Sequence, residues 1–341
     1  ASAGVDTGQI HHDASLGRGA ISWATMDVLR IQGGCRLDGD VTVSGAKNSS
    51  LKLMAAALLA VGRTTLRAVP DIADVAIMSQ LLTRLGCHVS YDSATEVVVI
   101  DVPESIEHRA DYDLVRRMRA SIAVLGPLVA RTGAADIALP GGDNIGSRGL
   151  DMHVAGLERM GATVTSEHGY LLVQAERLTG TSLSLDFPSV GATETLLMAA
   201  VTAEGTTVID NAAREPEIVD ICQMLQGMGA RIDGVGGAML TVEGVPTLTP
   251  VDHTTVPDRI VAGTWAVAAA MTRGRIRVRN AASAHLVMPL ERLAAAGAEV
   301  TEHSDGFEVA MAGRPRSVDV VTLPYPGFPT DLQPQFIAMN C

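Results

Sequence analysis

The chain has 341 residues, of which 47% are hydrophobic and 19% charged, and its net charge is −12. That length allows two compact units of about 100–200 residues each, with a core large enough to need no metal or disulfide staple. The acidic balance excludes a nucleic-acid coat, which needs a basic footprint, and no apolar run approaches the roughly 20 residues of a membrane span.

Residues 1–28 hold no long apolar stretch and are expected to be a flexible extension. After them, SSLKLMAAALLAVGRTTLRAV (49–69) predicts an Ala-rich helix closed by a small-residue turn and a strand. VAIMSQLLTRLG (75–86) follows, with apolar residues at three- and four-residue steps, the stripe of an amphipathic helix. LGCHV and EVVVID then predict two short strands.

The same succession returns three times. Its Ala-rich helices are ASIAVLGPLVARTG, ATETLLMAAVTAEG and RIVAGTWAVAAAMTRG, and each leads into a strand. Its amphipathic helices end in MGATV, MGARI and AGAEV. Gly86, Gly161, Gly229 and Gly297 hold the same place, 75, 68 and 68 residues apart by subtraction, where a left-handed residue stops a helix. The unit is strand–helix–strand–helix–strand–strand, which predicts an α/β fold built from copies of one βαβαββ motif. The Ala-rich helices are apolar nearly all round, so burial is expected for them. A fifth copy begins at TDLQPQFIAMN and stops in its first helix, so the sequence is expected to be a piece of a longer one. Cys35, Cys87, Cys222 and Cys341 lie far apart without a CxxC pair, which predicts free thiols and a cytoplasmic, soluble protein without a zinc site.

Four stretches could carry chemistry. Ser44-Gly45-Ala46-Lys47-Asn48-Ser49-Ser50 lies at a strand-to-helix junction, where open backbone amides and Lys47 favour an anion. Lys47 and Lys52 are the lysines among 26 basic residues, the rest being Arg. Arg116-Arg117-Met118-Arg119 opens the helix of the second copy, a place suited to phosphate or carboxylate. The Gly-rich segment 139–153 carries Asp143, Arg148 and a helix-cap candidate, Asp151, and such loops often close over substrates. A Pro-Gly turn at 325–329 delivers Asp331 to a helix start.

These stretches together resemble the enolpyruvyltransferases. The motifs that carry the resemblance are SGAKN (44–48), RASIAVLGPLVAR (119–131), LPGGDNIGSR (139–148), SVGATE (189–194), NAAREPEIVD (211–220), PDRIVAGT (257–264) and YPGFPTDLQPQF (325–336). They are more similar to the branch that acts on UDP-N-acetylglucosamine than to the branch that makes enolpyruvylshikimate 3-phosphate. The resemblance implies two inverse α/β barrels with the active site between them. Residues 46–256 would form the first globule. Residues 29–45 and 257–341 would form the second, incomplete in this chain.

The implied reaction moves the enolpyruvyl group of phosphoenolpyruvate to a sugar 3-hydroxyl and releases phosphate. No cofactor or metal is implied; the partners are phosphoenolpyruvate and a uridine nucleotide or nucleotide sugar, with no nucleic acid or membrane. By resemblance, Lys47 and Asn48 bind phosphoenolpyruvate, and Arg119 and Arg148 lie at the substrates. Gly149, Leu150, Asp151 and Met152, with Phe187, Pro188, Ser189 and Val190, match nucleotide-sugar contacts. Asp331 matches the carboxylate that takes the hydroxyl proton and is also among the substrate contacts; with Asp143 and Lys47 it makes up the implied catalytic set. Asp143 stands where most members have a proton-donating loop cysteine, and actinobacterial members resemble this chain there. Its ordinary pKa of about 3.9 must be raised by burial if it is to donate a proton near neutral pH. Without a thiol at that position, resistance to the epoxide antibiotic fosfomycin is expected. Gly149 replaces the family's usual Pro, which leaves two further readings open: enolpyruvyl transfer to another uridine nucleotide in nucleoside-antibiotic synthesis, or a non-catalytic nucleotide-sugar binder.

Overall fold

The computed structural model describes residues 33–139 and 149–341. The expected extension, 1–28, and two candidate site residues, Asp143 and Arg148, lie outside the described residues. In chain order the regular elements begin with β1 (Asp38–Thr42), α1 (Lys47–Ala56), β2 (Gly62–Arg67), α2 (Ala73–Arg84), β3 (His88–Asp92) and β4 (Val97–Val102). The next are α3 (Tyr112–Arg117), α4 (Leu125–Thr132), β5 (Ala134–Ala138), α5 (Asp151–Arg159), β6 (Thr163–Glu167) and β7 (Tyr170–Gln174). Then come β8 (Ser182–Ser184), α6 (Val190–Ala200), β9 (Thr206–Asp210), α7 (Pro216–Gly227), β10 (Arg231–Asp233) and β11 (Met239–Glu243). The last are β12 (Asp252–Thr254), α8 (Arg259–Met271), β13 (Arg275–Arg279), α9 (Val287–Ala296), β14 (Glu299–His303), β15 (Gly306–Ala310) and α10 (Gln333–Asn340).

The third copy holds the repeat unit intact: its strands assemble in the order β10-β11-β9-β8, with β8 parallel to β9 and the other pairs antiparallel. The first and last sheets have the same design but exchange their edge strands. β1 runs parallel to β13, from Asp38 opposite Arg275 to Thr42 opposite Arg279. β12 runs parallel to β2, from Asp252 opposite Thr65 to Thr254 opposite Arg67. An Arg–Asp pair joins each borrowed strand to its host: Arg279 Nε to Asp40 at 2.9 Å, and Arg67 Nε to Asp252 at 2.8 Å.

The strands alternate buried and half-buried residues, as in β4, where Val98, Ile100 and Val102 point inward. The Ala-rich helices lie deeper. Every residue of α6 from Ala192 to Ala200 is buried, and α4 packs against it so closely that a Cβ on Gly126 would lie 2.4 Å from the Thr195 carbonyl oxygen. Two separate apolar clusters result, one from Leu51 to Leu248 and one from Val43 and Ala262 to Met339. Gly86, Gly161, Gly229 and Gly297 all have φ between +98° and +109°, so each ends its helix in the left-handed region that favours glycine.

The second copy departs from the expected single helix. Residues Arg119–Val124 form a 3-10 helix, and the α-helix begins at Leu125. Pro127 has no N–H to bond back to residue 123, so it fits the first turn of an α-helix and not its interior. Ser121 adds to the effect: its hydroxyl donates to the carbonyls of Val115 and Met118 at 2.9 and 2.6 Å, competing with helical bonding.

Candidate active site

The segments at 43–46 and 255–258 cross between the two exchanged strands. Ala46 N donates to Val256 O at 2.7 Å, and Asp258 N donates to Ser44 O at 3.0 Å. The chains touch so closely that a Cβ on Gly45 would lie 1.9 Å from the Ala68 carbonyl oxygen, so glycine is required there. α1 starts immediately after this crossing, and Ala46 offers it no side-chain cap. The cap comes from the other strand: Asp258 Oδ2 accepts from Lys47 N at 3.0 Å. Its Oδ1 accepts from Ile260 N and Val261 N at 2.9 Å each. One buried carboxylate thus caps two helices.

Lys47 and Asn48 are exposed at this start, while Ser49 and Ser50 turn inward. Lys47 Nζ lies 2.7 Å from Asp74 in the first turn of α2. Asn48 Nδ2 donates to Asp331 Oδ2 at 3.4 Å. Beneath them Ser49 donates a short hydrogen bond to Asp220 Oδ2, which also accepts from Val256 N at 3.0 Å. His253 Nε2 lies 2.7 Å from the other oxygen of Asp220. This buried network ties the first turn of α1 to α7 and β12.

Asp331 is delivered by the turn the sequence marks. Gly327 N donates to Pro324 O at 2.8 Å, and the Phe328 ring packs edge-on against Phe336 with centroids 4.8 Å apart. Full burial of such a ring is worth about 1.5–3 kcal/mol, enough to hold a short turn in place. Arg259 joins the same corner. It pairs with buried Glu217 at 3.0 Å, and its guanidinium lies 5.5 Å from the Tyr325 ring centroid. Arg214 Nη2 donates to Tyr325 O at 3.3 Å. Burial raises the neighbouring Glu215 carboxyl above its ordinary range.

A second group gathers where α5 and α6 begin. His153 is buried against Gly191, where an added Cβ would lie 3.2 Å from Nε2. Burial, then the positive charge of Arg119, pushes His153 down to about 4. The charge of Asp151 acts on His153 in the opposite direction to that of Arg119. Ser189 Oγ caps α6 by accepting from Ala192 N at 3.3 Å. Phe187 is 54% exposed, and Pro188, Ser189 and Val190 are half-buried. Asp151 is not the helix cap the sequence suggests: Leu150 holds the cap position, and Asp151 is the first helical residue. Its carboxylate turns back toward Gly149, where a Cβ would meet Oδ1 at 2.5 Å, and from the first turn it still favours the helix dipole.

The candidate residues thus fall into two groups, Lys47, Asn48 and Asp331 in one, and Arg119, Gly149–Met152 and Phe187–Val190 in the other. A cleft of about 890 Å³ lined by Ser79, Arg84, Asp111 and Leu114 among others holds none of them. Among the described residues, no three His, Cys, Asp or Glu side chains are arranged to hold a metal, and no helix is long and apolar enough to cross a membrane. Sequence reasoning gave no role to Asp74, Asp220, His253 or Asp258, because their partners lie far along the chain. The available signal was that Asp220 and Asp258 fall inside motifs already singled out.

An exposed lysine and asparagine at a helix start, beside a carboxylate from a distant turn, can hold an anion and take up a proton. The family model described as EPSP synthase (3-phosphoshikimate 1-carboxyvinyltransferase) matches residues 31–341. The UDP-N-acetylglucosamine 1-carboxyvinyltransferase of Corynebacterium jeikeium is 60% identical over 313 residues, 92% of this chain and 74% of that protein. The protein of the same name from Nocardia farcinica is 56% identical over 91% of this chain and 74% of its own length. Among solved structures, the enolpyruvyl transferase NikO from Streptomyces tendae superposes with a TM-score of 0.80 at 26% identity, over 91% of this chain and 74% of that one. EPSP synthase from Acinetobacter baumannii shares the fold, with a TM-score of 0.62 at 17% identity over 90% of this chain and 70% of that one. The chain belongs to the enolpyruvyltransferase family, and its mixed α/β fold is the fold of that family.

Proposed function

We propose that this chain transfers the enolpyruvyl group of phosphoenolpyruvate to the 3-hydroxyl of UDP-N-acetylglucosamine, releasing phosphate, as a step toward peptidoglycan. The observation that carries the reading is the hydrogen bond from Asn48 to Asp331 at the helix start that also bears the exposed Lys47. The relatives at 54–60% identity, all named for this acceptor, support it. They outweigh the other uridine nucleotide and the non-catalytic binder as readings.

Lys47 and the start of α1 hold the phosphate and carboxylate of phosphoenolpyruvate. Asp331 takes the proton of the sugar hydroxyl as its oxygen bonds to C2, while Asp143 gives a proton to C3. C3 then loses a proton, the C2–O bond to phosphate breaks, and the double bond of the enol ether forms. Arg119 and Arg148, with residues 149–152 and 187–190, hold the nucleotide sugar. The aspartate at 143 offers no sulfur for an epoxide to alkylate, so the enzyme resists fosfomycin. The two apolar clusters support a division into globules at 46–256 and at 29–45 with 257–341. Its substrates put the enzyme in the cytoplasm, and a net charge of −12 fits a protein without nucleic-acid partners.

The test is incubation with phosphoenolpyruvate and a panel of uridine nucleotides while phosphate release is followed. Release with UDP-N-acetylglucosamine alone is expected. Release with another nucleotide instead would overturn the acceptor, and tight nucleotide binding without release would favour the non-catalytic reading.

A further inference from the structure

Two lysines stand among 26 basic residues, and both lie in α1. Lys47 is the exposed one at the candidate site. The Lys52 side chain is only 13% exposed, and its partner Glu194, in α6, is 3% exposed. Lys52 Nζ lies 3.3 Å from both carboxylate oxygens of Glu194. It also donates to the backbone carbonyl of Asn48 at 3.0 Å. One ammonium therefore joins two things: Asn48, which bonds Asp331 from the first turn of α1, and a helix whose amino-terminal end belongs to the other half of the site.

Stability alone does not account for this pair. Apolar side chains of similar volume usually serve a core as well as a buried ion pair, or better. Burial raises Glu194 to about 7, so the fold keeps a carboxyl where its charge is disfavoured. The charges of Glu217 and Glu215 disfavour ionisation further, and Lys52 is the group that opposes them. The neighbouring Thr193 Oγ1 accepts from Ala213 N at 3.0 Å, which fixes this stretch of α6 under the loop that carries Arg214.

We infer that Lys52, held in place by Glu194, is a positioning residue that sets the Lys47–Asn48 turn against α6 and so aligns the phosphoenolpyruvate half of the site with the nucleotide-sugar half. The inference rests on the function proposed above. Lys52 touches no reacting atom in this scheme; it acts through the Asn48 carbonyl. A lysine suits the place because its compact ammonium can meet a carbonyl and a carboxylate at once from a flexible stem.

The test compares the wild type with Lys52→Met/Glu194→Met, Lys52→Arg and Glu194→Gln, measuring steady-state kinetics for both substrates alongside thermal unfolding. In the double variant, KM for phosphoenolpyruvate should rise about tenfold, with kcat and KM for the nucleotide sugar changed less than about twofold. Its unfolding temperature should stay within a few degrees, because the pair is replaced by apolar groups. Lys52→Arg keeps the cation but not its compact shape and should show a smaller rise in KM than the double variant. If the double variant fails to fold, Glu194→Gln decides the matter. Wild-type KM for phosphoenolpyruvate should rise as pH falls from about 8 to about 6, when Glu194 gains a proton and releases Lys52, and Glu194→Gln should flatten that rise. A double variant with unchanged KM overturns the inference, as does a fall in kcat/KM equal for both substrates or an unaltered pH profile in Glu194→Gln. A wild type that releases no phosphate with any uridine nucleotide overturns the proposed function first, and this inference with it.

Discussion

Asn48 Nδ2 sits 3.4 Å from Asp331 Oδ2, so a residue in the first turn of α1 holds a carboxylate 283 positions further along the chain. The amide donates to one oxygen of an exposed carboxylate, a group whose second oxygen can serve as a base. Asp331→Asn keeps the size of the group but removes the acceptor for a hydroxyl proton. We expect kcat to fall by roughly 10²–10⁴-fold, the usual effect of losing a general base. Calorimetry should find nucleotide-sugar affinity within about threefold of wild type, because Asp331 enters by its proton and not by its grip. A variant with unchanged kcat would remove Asp331 from the mechanism.

Asp258 caps α8 through Ile260 and Val261 and caps α1 through Lys47. Asp258→Ala leaves both helix starts without an acceptor inside a buried crossing. One lost cap costs about 1 kcal/mol, so a loss of roughly 2–3 kcal/mol in denaturant unfolding is expected. The Lys47 amide should exchange with solvent faster in the variant. Equal stability and equal exchange would show that water replaces the carboxylate at both helices.

What the sequence revealed and what it hid divide along a physical line. The left-handed glycines at 86, 161, 229 and 297 are local: each needs only its own helix to end, so the repeat was visible in the order of residues. Asp331 and Lys47 were visible as types at helix starts. The hydrogen bond that brings Asp331 to Asn48, the neighbour of Lys47, was not, since nothing in the periodicity of β1 or β12 says which sheet each strand joins. The double cap by Asp258 and the Lys52–Glu194 pair were hidden for the same reason. A glutamate inside the run ATETLLMAA passes for a solvated residue until α1 is packed over it. The 3-10 start of the second copy was locally encoded by Pro127 and was masked by the apolar pattern around it.

His153 is held neutral by burial, with the charge of Arg119 acting in the same direction, and its pKa falls from 6.5 to about 4. Its ring should therefore show no titration by NMR between about pH 8 and pH 5. The sign for stability follows from the unfolded chain binding the proton more tightly. Stability from this group is complete above about pH 6.5 and is lost as pH falls toward about 4, by up to roughly 3 kcal/mol. His153→Gln should remove that part of the acid sensitivity. Unfolding curves at about pH 7.5 and pH 4.5 test this, and the same pH dependence in both proteins would assign the loss to other groups.

Asp143, by the resemblance, stands where most members carry a loop cysteine, and it is the acid proposed above for C3. Proton delivery to C3 requires an acid that is protonated at the start of the cycle and can reach the substrate, and either a thiol or a raised carboxyl meets that need. Asp143→Cys should therefore retain turnover within about tenfold of wild type, whereas Asp143→Asn, which has no proton to give, should lose roughly 10²–10⁴-fold. The two side chains differ in a second respect. A thiolate is a soft nucleophile that opens an epoxide, and a carboxylate at this site is a poor one. Fosfomycin with nucleotide sugar present should then leave the wild type active and unmodified, while Asp143→Cys loses activity with time and gains the mass of one drug molecule on the 139–148 segment. Full turnover in Asp143→Asn would show that the proton comes from elsewhere, and a covalent adduct on the wild-type segment would show that Asp143 is nucleophilic after all.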